Sequence, residues 1–497
     1  MMLAAFKGPA IQWWALTPIL VLLGGAVVLM VAAVLAPKLF PRGTYAIFTC
    51  VIALATVTLG FLLWHDIGEH GARSLIGGAL GFDRFSVFFT IAIASAVFLT
   101  ALVADDYLRR EDLDGCEVYA LLLLTAVGGV VMASANDLIV LFLGLETLSI
   151  ALYILAGSHA RRLQSQESAL KYFVLGGFSS AFFLYGVALT YGATGTTNLV
   201  KIQDFLRTNV LLENGLLLAG LALMLVGLGF KVAAVPFHTW SPDVYEGAPS
   251  PVTGFMASAA KAAGFAGLLR VFVVSFATYA SDWRPVVFVL AVLTLVVGAV
   301  MAVVQTNVKR MLAYSSISHA GFILVAVQAA SPEGTAAALF YLLAYTFLVV
   351  GTFAVVTLVA RRGDAAYSLD DFRGLGRRRP VLALVFALLL LSQAGVPLTS
   401  GFLAKFEVIS AAVDRHSYAL AIVAMLSAVI AAYLYLRITV SMFLADPADD
   451  STEPVSVPTS AGFAIAIAAA FTIVAGVAPS VVLAAARHAV PILTASP

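Results

Sequence analysis

The stretch GFKVAAVPFHTWSPDVYEGAPSP, residues 229–251, decides how the rest of the chain must fold. It places Lys231 inside an apolar helix, interrupts that helix with Pro236 and adds His238 at the break. A charged side chain at the bilayer centre costs about 2.5–3.5 kcal/mol, and an internal proline costs a helix roughly 3 kcal/mol. Non-helical backbone is tolerated at membrane depth only where protein or internal water covers it. The stretch therefore predicts a helical bundle with a polar, hydrated interior.

The composition is that of a polytopic membrane protein. The 497 residues are 62% hydrophobic and 11% charged, and the mean hydropathy is +1.01, whereas soluble domains carry about 25% charged residues. The net charge of +1 gives no indication of a nucleic-acid partner. The first apolar run, residues 11–35, is too long for the apolar region of a signal peptide, and we expect it to be a retained span.

The sequence contains no cofactor motif. Its two cysteines, Cys50 and Cys116, fall in different predicted spans, which excludes an iron–sulfur cluster held by this chain alone and a disulfide framework. Without a Gly-x-Gly-x-x-Gly or Walker A motif, we expect no bound nucleotide or flavin. No cluster of His, Cys, Asp and Glu has metal-ligand spacing, no Ser/His/Asp set suggests nucleophilic catalysis, and nothing pairs with His319 around a haem.

Apolar runs of about 20 residues, long enough to span a bilayer, number fourteen. Two of them are anomalous, since residues 216–246 are broken at Pro236 and residues 381–414 are broken around residues 394–401. The second run would extend about 51 Å as a straight helix, so it must be interrupted. The approximate centres of the fourteen runs are residues 23, 54, 94, 125, 146, 180, 226, 263, 295, 320, 347, 393, 430 and 472.

The two breaks predict an internal repeat. Each contains Val-Pro, at 235–236 and 396–397, and each lies near a lysine. Paired, proline-interrupted helices in corresponding halves of a membrane protein are typical of a repeat with its site at mid-membrane depth. The expected division places helices 1–3 in residues 1–110, helices 4–8 in 111–280, helices 9–13 in 281–445 and helix 14 in 446–497.

Basic residues near the span ends predict the orientation. The odd-numbered connections hold fifteen lysines and arginines, Lys309 among them, whereas the even-numbered connections and both tails hold nine. We therefore expect the odd connections to face the cytoplasm and both termini to face outward. Six of the fifteen come from one connection between Arg361 and Arg379, which we interpret as a plain cytoplasmic loop.

Three lysines, Lys231, Lys261 and Lys405, lie inside predicted spans, where no arginine falls near a predicted midplane. A buried lysine can release its proton, whereas arginine stays protonated. Burial favours the neutral amine and a nearby carboxylate favours the ammonium, so a lysine held between the two can be switched. The three lysines are candidates for a proton relay. The alternative is that they only tether the bundle.

One lysine and one carboxylate can be placed at mid-membrane depth. Pro251 suits the first turn of the eighth helix, which puts Lys261 roughly 15 Å deep. Glu146 lies roughly 14 Å beyond Asp137, where the fifth helix is expected to start. Glu146 is therefore the predicted counter-ion of Lys231. Opposite charges 4 Å apart interact by about 4 kcal/mol at an effective dielectric of 20.

Two histidines and a fourth lysine are accessory candidates. His319 lies mid-span among small hydroxyl residues, where a structural histidine and a relay are equally consistent with the sequence. His238 follows the break, where freed carbonyls and water favour a relay. Lys171 lies near a helix end and either reaches the membrane surface or supplies protons to Glu146 or Lys231.

Seven motifs lie between residues 130 and 410. They are FK…PFHTW (230–240), PDVYEGAP (242–249), PVT (251–253), KAAGF (261–265), ESALKYFVLG (167–176), KRMLAYSSISH (309–319) and AGVP…GFLAK (394–405). Together they closely resemble the antiporter-like membrane subunits of bacterial proton-translocating NADH-quinone oxidoreductase (respiratory complex I), and among these the subunit N family. The flanking spans match only in number.

The resemblance implies an all-α protein of about fourteen transmembrane helices, with two inverted five-helix repeats and broken helices 7 and 12. It also implies that Glu146 modulates Lys231, that Lys261 is a bridging lysine and that Lys405 is the exit-side lysine. The run Phe402–Lys405 lacks the second glycine of the commoner Gly-Phe-x-Gly-Lys form. From this we expect a small packing change and no change of role.

The resemblance further implies a proton-translocating membrane-arm subunit, driven by quinone reduction in partner subunits of a bacterial inner-membrane complex. NADH, FMN, iron–sulfur clusters and quinone would belong to the whole complex, with no cofactor in this chain. The partners would be the other membrane and peripheral subunits, including sister antiporter-like subunits, and the lipid bilayer. Two alternatives stay open: a subunit of a multi-subunit Na+/H+ antiporter, and a structural membrane subunit that does not pump.

Overall fold

The computed structural model describes residues 11–35, 43–113, 115–360, 363–446 and 455–491, and these residues confirm the all-α membrane architecture. Within these described ranges, twelve helices are long and apolar enough to cross a membrane, and two shorter apolar helices, Gly215–Lys231 and Pro380–Ala394, each end at a break. Five basic residues that contribute to the predicted orientation lie outside the described residues: Lys7, Lys38, Arg42, Arg361 and Arg362.

Where it is described, the first half of the chain forms eleven α-helices and one hairpin. Strands β1 (Arg73–Leu75) and β2 (Leu80–Phe82) pair in antiparallel fashion. Segments α10 and α11 are joined through π-helical turns into a continuous helix, Ser250–Ser275. The helices are α1 (Trp13–Leu35), α2 (Thr44–His70), α3 (Arg84–Arg110), α4 (Cys116–Ser134), α5 (Leu138–Ala156), α6 (Leu163–Thr194), α7 (Leu199–Thr208), α8 (Gly215–Lys231), α9 (Trp240–Gly247), α10 (Ser250–Phe255) and α11 (Lys261–Leu268).

The second half continues the bundle. Each of the fourteen predicted span centres lies inside a described helix, while the number of membrane crossings and the boundaries at residues 110, 280 and 445 stay predictions. The helices are α12 (Ala280–Val303), α13 (Val308–Ala329), α14 (Pro332–Val359), α15 (Leu375–Arg378), α16 (Pro380–Ala394), α17 (Ser400–Asp414), α18 (Tyr418–Leu444), α19 (Thr459–Val477) and α20 (Ser480–His488).

Capping residues explain where several helices begin. Asp137 accepts backbone N–H groups of the first turn of α5, and Asn307 does the same for α13. Asp83 and Ser86 form a capping box at the start of α3, and Pro251 lies in the first turn of α10. These caps satisfy backbone donors that have no partner within the helix. The expected starts at Asp137 and Pro251 are confirmed.

Both predicted breaks are present. Between α8 and α9, Ala233 adopts left-handed backbone with φ of 60°, and between α16 and α17 Gly395 and Leu398 do so with φ of 98° and 66°. The Trp240 indole donates a hydrogen bond to the Phe230 carbonyl at 3.1 Å. The side chain thus satisfies an acceptor that the first break leaves without a helical partner, as burial in an apolar bundle requires.

The inner layer of the bundle consists of Ser250–Ser275, α13 and α14. In the apolar 18-residue cores of these helices, 89%, 100% and 89% of residues are buried, against 28% in α1. Helices approach closely through glycine, since a Cβ at Gly298 of α12 would lie 2.5 Å from the Ser318 nitrogen of α13. Because this core of α13 is covered on all sides, its polar residues can contact only other groups inside the bundle.

Candidate functional site

Lys231 is the last residue of α8, directly before the first break, and is 5% exposed. Its Nζ donates to Ser149 Oγ at 2.9 Å and to the Tyr172 hydroxyl at 3.2 Å. Helix α11 passes close by because it carries Gly264, where a Cβ would lie 3.3 Å from Lys231 Cγ and 2.9 Å from Val232 Cγ1. The ammonium is therefore held by neutral oxygens of α5 and α6.

Glu146, the predicted counter-ion, lies near Lys231 without a direct contact. It is close enough to attract the ammonium electrostatically, but no ion pair within 4.0 Å joins the two in the described part of the chain. Its Oε1 is buried and has no hydrogen-bond partner there. The expected contact between Glu146 and Lys231 is therefore not formed. Lys231 instead bonds Tyr172 and Ser149, which lies almost one helical turn beyond Glu146 on α5.

Lys261 lies directly after the π-helical turn Met256–Ala260 and is 2% exposed. Its Nζ donates to the Oγ and to the backbone carbonyl of Ser316, both at 2.6 Å. Turns of the π type occur frequently at functional sites because they shift the side chains that follow. Lys261, like Lys231, is bound by neutral oxygen atoms.

Lys405 occupies the second break and is 6% exposed. Its Nζ donates to the Ala394 carbonyl at 2.9 Å and lies 4.9 Å from the centre of the Phe322 ring. Gly395 packs on the aliphatic stem, since a Cβ there would lie 3.3 Å from Lys405 Cδ. Because Ala394 is the last residue of α16, Lys405 places its charge at the negative end of that helix dipole.

His319 lies at the middle of α13 and is 3% exposed. Its Nδ1 is 2.6 Å from the Tyr341 hydroxyl, and its Nε2 is 3.0 Å from the Tyr435 hydroxyl. Along α13, His319 lies between Ser316, which binds Lys261, and Phe322, which packs against Lys405. The ring nitrogens are served by tyrosines of α14 and α18 rather than by the serines beside His319 in the sequence.

Helix α13 carries the contacts that link these groups. Ser316, His319 and Phe322 follow one another at intervals of three residues along it. Ser316 binds Lys261, and Phe322 packs against Lys405. Residues three apart lie on neighbouring positions of one helix face. The structure thus brings Lys261, His319 and Lys405 to one buried face, with Lys231 reached across α11.

The other two accessory candidates lie apart from this line. His238 is half-buried after the first break, and its Nδ1 has no hydrogen-bond partner among the described residues. The Lys171 side chain is 41% exposed and forms ion pairs with Glu167 and Asp243, both at 2.7 Å. Lys171 contacts neither Glu146 nor Lys231, the groups to which it was expected to supply protons, because its ion-pair partners are Glu167 and Asp243.

Lys309 is a buried lysine that a prediction based on hydropathy counts as part of a connection between two spans. It is the second residue of α13 and is 0% exposed. Its Nζ donates to the Ala248 carbonyl at 2.6 Å and lies 4.5 Å from the centre of the Tyr367 ring. The available signal was Asn307, a strong N-cap residue that places Lys309 in a first helical turn.

Four hydroxyl residues of the site are also missed when only charged residues are considered in the sequence. They share a position inside an apolar span, where a hydroxyl needs a hydrogen-bond partner. That position was the signal available in the sequence. The four residues are Ser149, Tyr172, Tyr341 and Tyr435.

The buried Arg270 and the partly buried Arg162 differ from the lysines in their partners. Arg270, 0% exposed, bonds Asp83 at 2.6 Å, and Arg162 bonds Asp364 at 2.8 Å. Each of these guanidinium groups therefore has a carboxylate against it. Lys231, Lys261 and Lys405 have none within ion-pair distance in the part of the chain that the structure describes.

Metal ligands are not gathered anywhere in the described ranges. No group of three or more His, Cys, Asp or Glu side chains is positioned there to hold a metal ion. Cys50 and Cys116 are free thiols on α2 and α4.

Long apolar helices, two of them broken, around a line of buried lysines define an antiporter-like membrane subunit. Residues 135–431 match the family described as NADH:quinone oxidoreductase/Mrp antiporter, TM. The chain is 44% identical over 411 residues to NADH-quinone oxidoreductase subunit N of Trichlorobacter lovleyi, covering 83% of this chain and 84% of the relative. It is 41% identical to subunit N of Mycobacterium tuberculosis, covering 98% and 99%. The chain belongs to the NADH-quinone oxidoreductase subunit N family.

Solved structures agree with this assignment. A chain of respiratory complex I from Thermus thermophilus is 32% identical with a TM-score of 0.79, covering 97% of this chain and 100% of that one. A chain of the archaeal membrane-bound sulfane sulfur reductase is 26% identical with a TM-score of 0.83, covering 97% and 98%. A chain of the Mrp complex from Dietzia, 22% identical with a TM-score of 0.81 and covering 95% and 97%, shares the fold.

Proposed function

We propose that this chain is a proton-translocating module of an NADH-quinone oxidoreductase in a bacterial inner membrane. The relatives named subunit N and the match to a complex I chain support this assignment. NADH, FMN, iron–sulfur clusters and quinone act in partner subunits, and this chain moves protons. Its termini face outward, as the distribution of basic residues predicts.

The observation that carries the proposal is the type of partner given to each buried cation. Lys231, Lys261 and Lys405 are at most 6% exposed and bonded to hydroxyl or carbonyl oxygens. A buried ammonium without a carboxylate is costly and gains by releasing its proton. A lysine at mid-span that only tethered helices would be expected to resemble the Arg270–Asp83 pair, with opposite charges in contact. Lys309 is also bonded to a carbonyl, but it lies in the first turn of α13 and not at mid-span.

The proposed cycle begins at Glu146 and Lys231. A signal from the redox subunits changes their separation, which in the present structure is open. Closing the pair to 4 Å stabilises the ammonium by about 4 kcal/mol at an effective dielectric of 20. On opening, Lys231 passes its proton to Lys261. The proton then travels past His319 to Lys405 and outward.

Recurring features support the proposed repeat of residues 111–280 and 281–445. Asp137 caps α5 and bridges Asn198, and Asn307 caps α13 and bridges Ser368. In each half a break then follows an apolar helix that is only 15 or 17 residues long. With fourteen crossings, the two caps lie on opposite membrane faces, which makes the repeats inverted.

The decisive comparison is Lys231→Ala against wild type in membrane vesicles, after confirming that the complex assembles. NADH-driven proton translocation and electron transfer are measured together. Lys201→Ala is the matched control, because Lys201 is an exposed lysine on α7. We expect Lys231→Ala to lose both translocation and coupled electron transfer, and Lys201→Ala to retain both.

Two further outcomes are informative. Lys231→Arg should keep the charge and fail to release the proton, since arginine stays protonated. If Lys231→Ala turns over normally with an unchanged ratio of protons to electrons, Lys231 is structural and the proposal is wrong. Translocation that requires sodium ions would instead favour an antiporter subunit, with which the chain shares its fold.

A further inference from the structure

A continuous chain of four hydrogen-bonding groups runs through the space between Lys261 and Lys405. Ser315 Oγ is 2.6 Å from the Tyr435 hydroxyl, which is 3.0 Å from His319 Nε2. On the other side of the ring, His319 Nδ1 is 2.6 Å from the Tyr341 hydroxyl. The two tyrosines come from α18 and α14 and are 1% and 2% exposed. The chain therefore joins three helices in the buried interior of the bundle.

Both ends of this chain approach a lysine of the relay. Ser315 precedes Ser316, whose hydroxyl and carbonyl bind Lys261. The Tyr341 ring stacks on Phe322 with centroids 6.3 Å apart, and the Lys405 Nζ lies 4.9 Å from that same ring. One end thus lies next in sequence to the residue that binds Lys261, and the other packs on the ring that Lys405 contacts.

Every member of the chain can donate one hydrogen bond and accept another. A neutral imidazole has one N–H and one acceptor nitrogen, and a hydroxyl is both donor and acceptor. The same heavy atoms therefore support two complete orientations. In one, the hydrogen bonds point from Ser315 toward Tyr341. In the other, they point from Tyr341 toward Ser315.

We propose that Tyr341 and Tyr435 are relay residues that carry the proton through His319 between Lys261 and Lys405. This inference rests on the proposed function. A proton leaving Lys261 enters at Ser315, and His319 Nε2 receives a proton from Tyr435 while Nδ1 gives its own to Tyr341. Tyr341 releases one proton toward the Lys405 amine. No group in the chain gains or loses a proton overall, and the direction of the hydrogen bonds is reversed.

The reversal has a consequence for turnover. After one transfer His319 carries its proton on Nε2, so the chain cannot accept a second proton from Ser315 until the imidazole and hydroxyls reorient. The chain therefore passes one proton per cycle.

A third tyrosine provides a matched control. Tyr345 packs against the His319 ring with centroids 4.7 Å apart and is 2% exposed. Its hydroxyl is bonded to neither ring nitrogen of His319, which Tyr341 and Tyr435 occupy. The centre of the Tyr345 ring lies 5.9 Å from Lys261 Nζ, a contact that phenylalanine keeps. Replacement by phenylalanine therefore removes a buried hydroxyl at the same site without cutting the chain.

The test uses Tyr341→Phe, Tyr435→Phe and Tyr345→Phe in the assembled complex, reconstituted in vesicles. The measurements are the initial rate of NADH-driven proton translocation and its solvent deuterium isotope effect. We expect Tyr341→Phe and Tyr435→Phe to slow translocation at least about 100-fold, the lower end of the range for losing one acid–base group, and to raise the isotope effect. Tyr345→Phe should stay within about twofold of wild type.

Lys261→Ala separates failure of this inference from failure of the proposed function. If Lys261→Ala loses translocation while Tyr341→Phe and Tyr435→Phe keep both the rate and the isotope effect, the tyrosines only support His319 and the inference is wrong. It is equally wrong if Tyr345→Phe is as damaging as the other two, because packing then explains the loss. If Lys261→Ala itself pumps normally, the proposed function fails, and the inference fails with it.

Discussion

Removing the two neutral acceptors of Lys231 should close the Glu146–Lys231 pair. The ammonium is bonded to Ser149 at 2.9 Å and to Tyr172 at 3.2 Å. A hydrogen bond to a charged group contributes about 1.5–3 kcal/mol, so the two together offset the roughly 4 kcal/mol that a contact with Glu146 would supply. The open arrangement depends on this near balance.

Loss of one acceptor, at about 2 kcal/mol, shifts the balance toward the closed pair by about 30-fold, and loss of both shifts it about 1,000-fold. We expect Ser149→Ala or Tyr172→Phe alone to slow NADH-driven proton translocation severalfold, and the double variant to slow it at least about tenfold. Thr147→Ala is the control, because the Thr147 hydroxyl bonds only the Leu143 carbonyl of its own helix.

The assay combines translocation rates in vesicles with a structure of the double variant by electron cryo-microscopy. The structure should show Lys231 Nζ within about 4 Å of the Glu146 carboxylate, the distance at which the pair interaction was estimated. Wild-type translocation by the double variant would refute this explanation. So would a structure in which Lys231 still makes no contact with Glu146, because the two hydrogen bonds would then not be what keeps the pair apart.

Three further predictions concern buried groups outside the relay. Arg270→Met should destabilise the subunit by about 3–5 kcal/mol because it leaves Asp83 buried without a cation, and adding Asp83→Asn should restore part of the thermal stability of the complex; equal melting of all three proteins would contradict this. Gly401→Ala should prevent assembly, since a Cβ there would lie 1.9 Å from the Ser392 carbonyl oxygen, and normal amounts of complex in membranes would disprove it. Lys309→Met should cost about 1–3 kcal/mol of stability through the carbonyl left without a donor while the ratio of protons to electrons is unchanged; a lower ratio in assembled complex would place Lys309 in the relay.

Features set by local sequence were predictable. In lipid, a helix must satisfy its own backbone hydrogen bonds, and proline interrupts them. The prolines at 236 and 397 therefore indicated where the two long runs break. The helix starts at Asp137 and Pro251 followed from residue types that favour first turns. Counting 1.5 Å per residue from those starts predicts Glu146 and Lys261 at mid-membrane depth.

Contacts between helices were not predictable in the same way, because depth says nothing about direction around the helix axis. Glu146 and Ser149 are three residues apart on α5, or about 60° apart around its axis. Only the packing of α5 against α6, and of α6 against α8, selects Ser149 as the partner of Lys231. Lys309 illustrates the same limit. Its cover, Tyr367, belongs to a segment far along the chain.

The division between arginine and lysine gives the interior two kinds of buried cation. Arginine is used where a carboxylate stands opposite, as in Arg270 with Asp83, and such a pair is costly to separate. Lysine is used where only neutral oxygens stand opposite, as in Lys261 with Ser316, so that loss of its proton leaves no unpaired carboxylate behind. A relay needs groups that can be neutral in one step and charged in the next. The neutral surroundings of the lysines are therefore what connects this fold to proton movement.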